Sequence, residues 1–142
     1  MMNEPIGSVM TKKVITIHPE TTLSEARDIM MSKRIHHLPV LADGHKLVGI
    51  ITSWDFVKFG LSLDELKNTK AGDVMTRNMA TLEADQHLGA VAEIFMEHLF
   101  HAVPIVDEVG NLEGIITTTD IIRYEYGKEY PDNLDKFVPE NM

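Results

Sequence analysis

The chain has 142 residues, of which 44% are hydrophobic and 25% charged, the makeup of a folded domain large enough to bury a core. It carries no cysteine, which excludes disulfides, thiolate catalysis and Cys-ligated zinc. Its net charge of −9 argues against nucleic acid as a partner, because duplex binding needs a basic face. No apolar run approaches the about 18 residues of a membrane span, and Met1-Met2-Asn3-Glu4-Pro5 has neither the basic nor the apolar region of a leader peptide. The expected setting is the cytoplasm.

In chain order, Val14–Ile17 reads as a short strand ended by His18-Pro19. Thr22-Leu23-Ser24-Glu25 has the spacing of a capping box. Leu23, Ala26, Ile29 and Met30 then form a helical apolar stripe. Leu38–Leu41 is a second strand, Asp43-Gly44 a tight-turn signal, and Leu47–Ile51 the partner strand. Thr52 opens a helix expected to carry Phe56 and Val57 inward. Residues 61–70 link this unit to the next and hold a candidate short helix around Ser62–Leu66.

The plan then repeats. Met79–Leu82 is the strand, Leu88, Val91, Ile94, Phe95 and Leu99 the helix stripe. Val103–Val106 and Leu112–Ile116 form a hairpin around Gly110-Asn111, and a helix follows from Thr118. Pro39 and Pro104 sit near strand starts, where a missing donor is tolerated. The tail 126–142 is polar with two prolines. Packing on the body, binding a partner chain and remaining loose all stay open for it.

Residues 6–58 laid on 71–123, a constant offset of 65 without gaps, give 16 identities in 53 positions. Gly49-Ile50-Ile51-Thr52-Ser53-Trp54-Asp55 returns as Gly114-Ile115-Ile116-Thr117-Thr118-Thr119-Asp120, and Val9-Met10-Thr11 as Val74-Met75-Thr76. A repeat of this length is a small αβ unit copied once, each copy needing the other to cover its apolar face.

The pattern of Val-Met-Thr, then Leu-Pro-Val or Val-Pro-Ile, then Gly-Ile-Ile-Thr-x-x-Asp, twice in register, resembles the CBS domain, and the two together resemble a CBS pair, or Bateman module. The resemblance implies an α+β fold of two tandem β-α-β-β-α repeats about a pseudo-twofold axis. Repeat one is placed at 5–60 and repeat two at 71–125. It further implies a regulatory module, not an enzyme, that binds an adenosine-containing ligand (AMP, ADP, ATP, S-adenosylmethionine, sometimes a NAD species) in clefts between the repeats. The ligand would be a signal, with no cofactor required. A homodimer and a protein effector acted on in trans are the implied macromolecular partners.

The residues allow specific roles. Thr52 with Asp55, and Thr117 with Asp120, stand where a strand enters a helix. A carboxylate is acceptor-only and suits the paired ribose hydroxyls, and the threonine hydroxyl with first-turn amides suits a phosphate or ribose oxygen. The family uses this Thr and Asp so. The same spacing is that of a capping box, which serves the helix alone, and the two roles are compatible. His36 and His101 are equivalent and precede a strand where such modules face phosphates; a hydrogen-bonded strand-edge histidine is the plain alternative. Lys12/Arg77 and Lys13/Asn78 are further candidates for phosphate contact by position. Thr16 and Thr81 close the first strands, in a segment that family ligands touch, though a β-branched strand residue needs no such explanation.

The seven histidines lack metal-ligand spacing, so no metal is expected. The matched methionines Met10/Met75 and Met31/Met96 read as core. Trp54 is open between a cleft, a dimer surface and a simple contact. No nucleophile–base pair or phosphate-binding glycine loop is present. The competing function is a structural dimerisation module without ligand.

Overall fold

A computed structural model describes residues 2–98 and 100–137, with side chains as far as Leu134. The expected helix-stripe residue Leu99 therefore lies outside the described residues, as does the end of the tail. The chain divides into two compact units, Ile15–Met79 and a second made of Met1–Val14 with Ala80–Met142.

In the first unit, α1 (Leu23–Lys33) begins at Thr22, whose hydroxyl accepts the Glu25 amide at 3.1 Å. Leu23, Ala26 and Met30 bury one stripe of α1 against β1 (His37–Ala42). Strand β1 pairs antiparallel with β2 (Lys46–Thr52) through a turn in which Asp43 and Gly44 both have positive φ. Helices α2 (Ser53–Phe59), α3 (Leu63–Asn68) and α4 (Ala71–Val74) follow. The core joins Ile17, Leu23, Met30, Leu38, Val40, Ile51, Leu66 and Met75.

The second unit repeats this with α5 (Leu88–His98), β3 (Ala102–Val106), β4 (Leu112–Thr117) and α6 (Thr118–Glu129). Its core is Ile6, Leu88, Val91, Val103, Ile105 and Ile116. Both hairpins shift register at the same place. Val40 faces Gly49 and Leu41 faces Leu47, while Ile105 faces Gly114 and Val106 faces Leu112.

The strands expected at Val14–Ile17 and Met79–Leu82 contract to one bridged residue each. Ile17 pairs parallel with Val40, and Leu82 with Ile105. The bridge draws the carbonyl of Pro39 and the amide of Leu41 to Ile17, and the carbonyl of Pro104 and the amide of Val106 to Leu82. Extending either ladder backwards needs the amide that proline lacks. The prolines thus supply the acceptor and stop the strand.

The Val-Met-Thr segments complete the sheets. Thr76 exchanges both backbone hydrogen bonds with Ile50, and Thr11 does the same with Ile115. The paired glycines make room for the methionines. A Cβ on Gly49 would strike the Met75 side chain, and one on Gly114 would lie 2.6 Å from Met10 Sδ and 2.8 Å from the Thr11 carbonyl. Each Val-Met-Thr segment thus serves the hairpin that the other repeat supplies.

Three further expectations are corrected. Val57 is 69% exposed, because on the short helix α2 only the face carrying Phe56 meets the core. Met31 and Met96 are 68% and 72% exposed, so that matched pair is surface, whereas Met75 belongs to the core of the first unit and Met10 packs, partly buried, against the core of the second. The tail starts later than expected, since Tyr126–Glu129 continue α6 and a 3-10 segment, Pro131–Phe137, folds back onto it.

Candidate functional site

The two hairpins end alike. His37 faces Thr52 and Ala102 faces Thr117. The carbonyls of His36 and His101 accept the amides of Ser53 and Thr118, at 2.9 and 3.1 Å. Each hairpin end therefore holds a His, a Thr and, three residues on, an Asp together. The threonines are half-buried and both histidine side chains are exposed. Nδ1 of His36 lies 3.4 Å from the Ser53 hydroxyl.

Asp55 and Asp120 are the buried charged residues among those described, at 6% and 5% exposure. Each turns back onto its helix N-cap. Asp55 Oδ2 accepts the Thr52 amide at 2.8 Å, and Asp120 Oδ2 the Thr117 amide at 2.9 Å. The capping role is thus built in both units. Such a buried carboxylate must be paired or hydrogen-bonded to persist.

Beyond that shared bond the two carboxylates differ. Asp120 Oδ2 also accepts the Thr117 hydroxyl at 3.1 Å, while that hydroxyl takes the Asp120 amide. Asp120 Oδ1 accepts the Thr11 hydroxyl at 2.9 Å and faces Arg123 Nη1 at 3.4 Å. Asp55 Oδ1 faces only the ammonium of Lys58 at 3.8 Å among the described residues. Lys58 is 56% exposed, against 18% for Arg123. Thr76, the counterpart of Thr11, has an exposed side chain.

A cleft of about 390 Å3 lies beside Asp120, lined among others by Ser8, Arg123, Tyr124, Lys128 and Leu134. Its cations are paired: Arg123 with Asp120, and Lys128 with Glu4 and Glu125. Glu4 is held at about 2, well below its ordinary value, first by the Tyr124 hydroxyl, then by its own backbone amide and by Lys128.

Thr16 and Thr81 lie one residue before the bridged Ile17 and Leu82, Thr16 half-buried and Thr81 exposed. Among the described residues no hydrogen bond joins them to the Thr–Asp pairs. Lys12 and Lys13 are exposed, and Arg77 donates to the Gly72 carbonyl at 3.0 Å. Among the described residues no three His, Asp or Glu side chains converge as a metal cluster, and no helix is long and apolar enough to cross a membrane. Sequence reasoning missed Thr11 and Arg123 as partners of Asp120. The i,i+3 spacing of Asp120 and Arg123 was a signal for the second, whereas the Thr11 partner, 109 residues from Asp120, left none in the spacing.

The family model of the CBS domain matches residues 6–62 and again 71–127. The chain belongs to the CBS-domain family, as a tandem pair. It is 36% identical over 124 residues to the L-aspartate semialdehyde sulfurtransferase of Methanocaldococcus jannaschii, covering 87% of this chain and 24% of that protein. It spans about a quarter of the length of the first curated relatives it matches. Among solved structures, the CBS domain pair of protein MJ0100, in complex with 5′-methylthioadenosine and S-adenosyl-L-methionine, superposes with a TM-score of 0.76 at 33% identity, over 89% of this chain and 98% of that one. CBSX2 in complex with AMP superposes at 0.79 with 26% identity, over 88% and 98%.

Proposed function

We propose that this chain is a regulatory, non-catalytic module that binds an adenosine-containing ligand (AMP, ADP, ATP or S-adenosylmethionine) and passes its state to a protein partner. The observation that carries this reading is the duplicated Thr–Asp pair: a buried carboxylate at the same hairpin end in each unit. The relatives in complex with AMP and with S-adenosyl-L-methionine support the ligand class. In this reading Asp55 and Asp120 accept the ribose hydroxyls, Thr52 and Thr117 meet a ribose or phosphate oxygen, and exposed His36 and His101 lie nearest the phosphates. Thr16 and Thr81 line the other strand edge. A ligand signals only if it binds two arrangements of the protein unequally. The enzymatic names among the relatives belong to longer chains, and no catalytic step is assigned to this one.

The reading is tested by thermal unfolding with AMP, ADP, ATP, S-adenosylmethionine and NADH, alongside Asp55→Ala and Asp120→Ala. A ligand that binds only the native state stabilises it by about 2.7 kcal/mol at a hundredfold excess over Kd. The expected result is a rise with one of these ligands that shrinks in each variant. No rise with any of them sinks the reading.

One observation favours an assembly role beside it. The exposed apolar side chains Met31 and Val57 recur as Met96 and Ile122, all more than 65% exposed. Matched apolar positions of this kind suit a self-complementary interface, and we assign them to a homodimer. Light scattering decides between a dimer and a monomer.

A further inference from the structure

We infer that the two sites are unequal by construction: Thr11 and Arg123 occupy the Asp120 carboxylate from within, so ligand fills the Asp55 site first. The inference rests on the ligand reading above and deepens it. A carboxylate offers about four acceptor positions. At Asp120 all are engaged, by the Thr117 amide and hydroxyl on Oδ2 and by the Thr11 hydroxyl and Arg123 guanidinium on Oδ1. The Thr11 hydroxyl, in particular, stands where an entering ribose hydroxyl would have to donate. A ligand must displace it and swing a guanidinium that is only 18% exposed.

Asp55 asks for much less. Its Oδ2 keeps the Thr52 amide, and its Oδ1 has only the Lys58 ammonium at 3.8 Å among the described residues. Lys58 is a flexible chain, more than half exposed, that moves aside at little cost. The difference amounts to one or two hydrogen bonds broken on entry at one site and none at the other. A net hydrogen bond corresponds to roughly a tenfold change in affinity. The chain would then respond to ligand over a wide concentration range, with the Asp55 site filled at low and the Asp120 site at high concentration.

The experiment is isothermal titration of the full chain with AMP, ATP and S-adenosylmethionine in turn. The wild type is expected to take one equivalent about tenfold or more tighter than a second. Asp55→Asn should lose the tight equivalent and Asp120→Asn should keep it. Arg123→Lys, which copies the Lys58 position, and Thr11→Val should each tighten the weak site severalfold, and about tenfold together. Two equal sites in the wild type overturn the inference while leaving the ligand reading intact. So does loss of the tight equivalent in Asp120→Asn, or a weak site that neither substitution moves. No heat and no binding with any of the three ligands sinks the ligand reading and the inference together. Arg123→Lys keeps the ion pair, so it remains informative even where Thr11→Val lowers stability.

Discussion

The two units carry one hairpin twice, with the same register shift, the same proline-stopped bridge and the same Asp on its helix N-cap. They differ at the outer oxygen of that Asp. Asp120 is locked by Thr11 and Arg123, whereas Asp55 meets a lysine whose side chain is more than half exposed. Backbone-driven features therefore survive duplication, because each fixes a strand or a turn on which the core depends. Side-chain ends diverge, because a lysine and an arginine both satisfy the fold. The divergence falls on the atoms that the proposed ligand would use.

The largest expected effect breaks this comparison at its centre. Asp120→Ala takes the acceptor from the Thr11 hydroxyl and the Thr117 amide and the buried carboxylate from beside Arg123, a loss of about 3 kcal/mol. Asp55→Ala strands one amide beside an exposed lysine and costs about 1 kcal/mol. For a chain of this size that is roughly 10 °C against roughly 3 °C in Tm, read by calorimetry without ligand. Equal losses would mean that the extra partners of Asp120 contribute nothing.

The glycines sharpen the comparison next. The Cβ in Gly114→Ala meets the Thr11 carbonyl at 2.8 Å, a backbone atom held by its bonds to Ile115. In Gly49→Ala the nearest atoms all belong to the flexible Met75 side chain. Overpacking costs about 1–3 kcal/mol. We expect Gly114→Ala near the upper end and Gly49→Ala near the lower, as separate urea midpoints.

Much of this was legible in the sequence. The offset of 65 residues located both hairpins, and the Gly-Ile-Ile-Thr-x-x-Asp pattern located both carboxylates, since a buried Asp at N3 needs that spacing. The first strands read too long, because Val14–Ile17 is β-branched and apolar while the limit on it comes from Pro39, more than twenty residues away. Met31 and Val57 read as core because their apolar character was visible and their facing was not. The bond from Thr11 to Asp120 spans 109 residues, a separation at which spacing within the chain carries no information. The locking of one site and not the other is therefore a tertiary fact, invisible to pattern.

The smallest effect separates the units through acid. In one, Glu4 pairs with Lys128 at 3.2 Å, Lys128 lies 4.4 Å from the Tyr124 ring, and the Tyr124 hydroxyl leads the groups that hold Glu4 at about 2 instead of 4.5. In the other, Glu20 and Lys70 meet at 2.6 Å, but their side chains are 78% and 53% exposed, and pairs of that kind contribute little. A carboxylate with a lowered folded value stabilises the fold fully above pH 4.5, and that contribution disappears as the pH falls towards 2. Wild type should therefore have the higher urea midpoint than Glu4→Gln at pH 6, with the two converging between pH 4.5 and 2. Glu20→Gln should track wild type throughout. A Glu4→Gln curve parallel to wild type across that window would show that Tyr124 and Lys128 do not hold the Glu4 charge, and that Ile6 in the core and the backbone bonds to Ala84, Gln86 and Leu88 anchor the N-terminal segment without it.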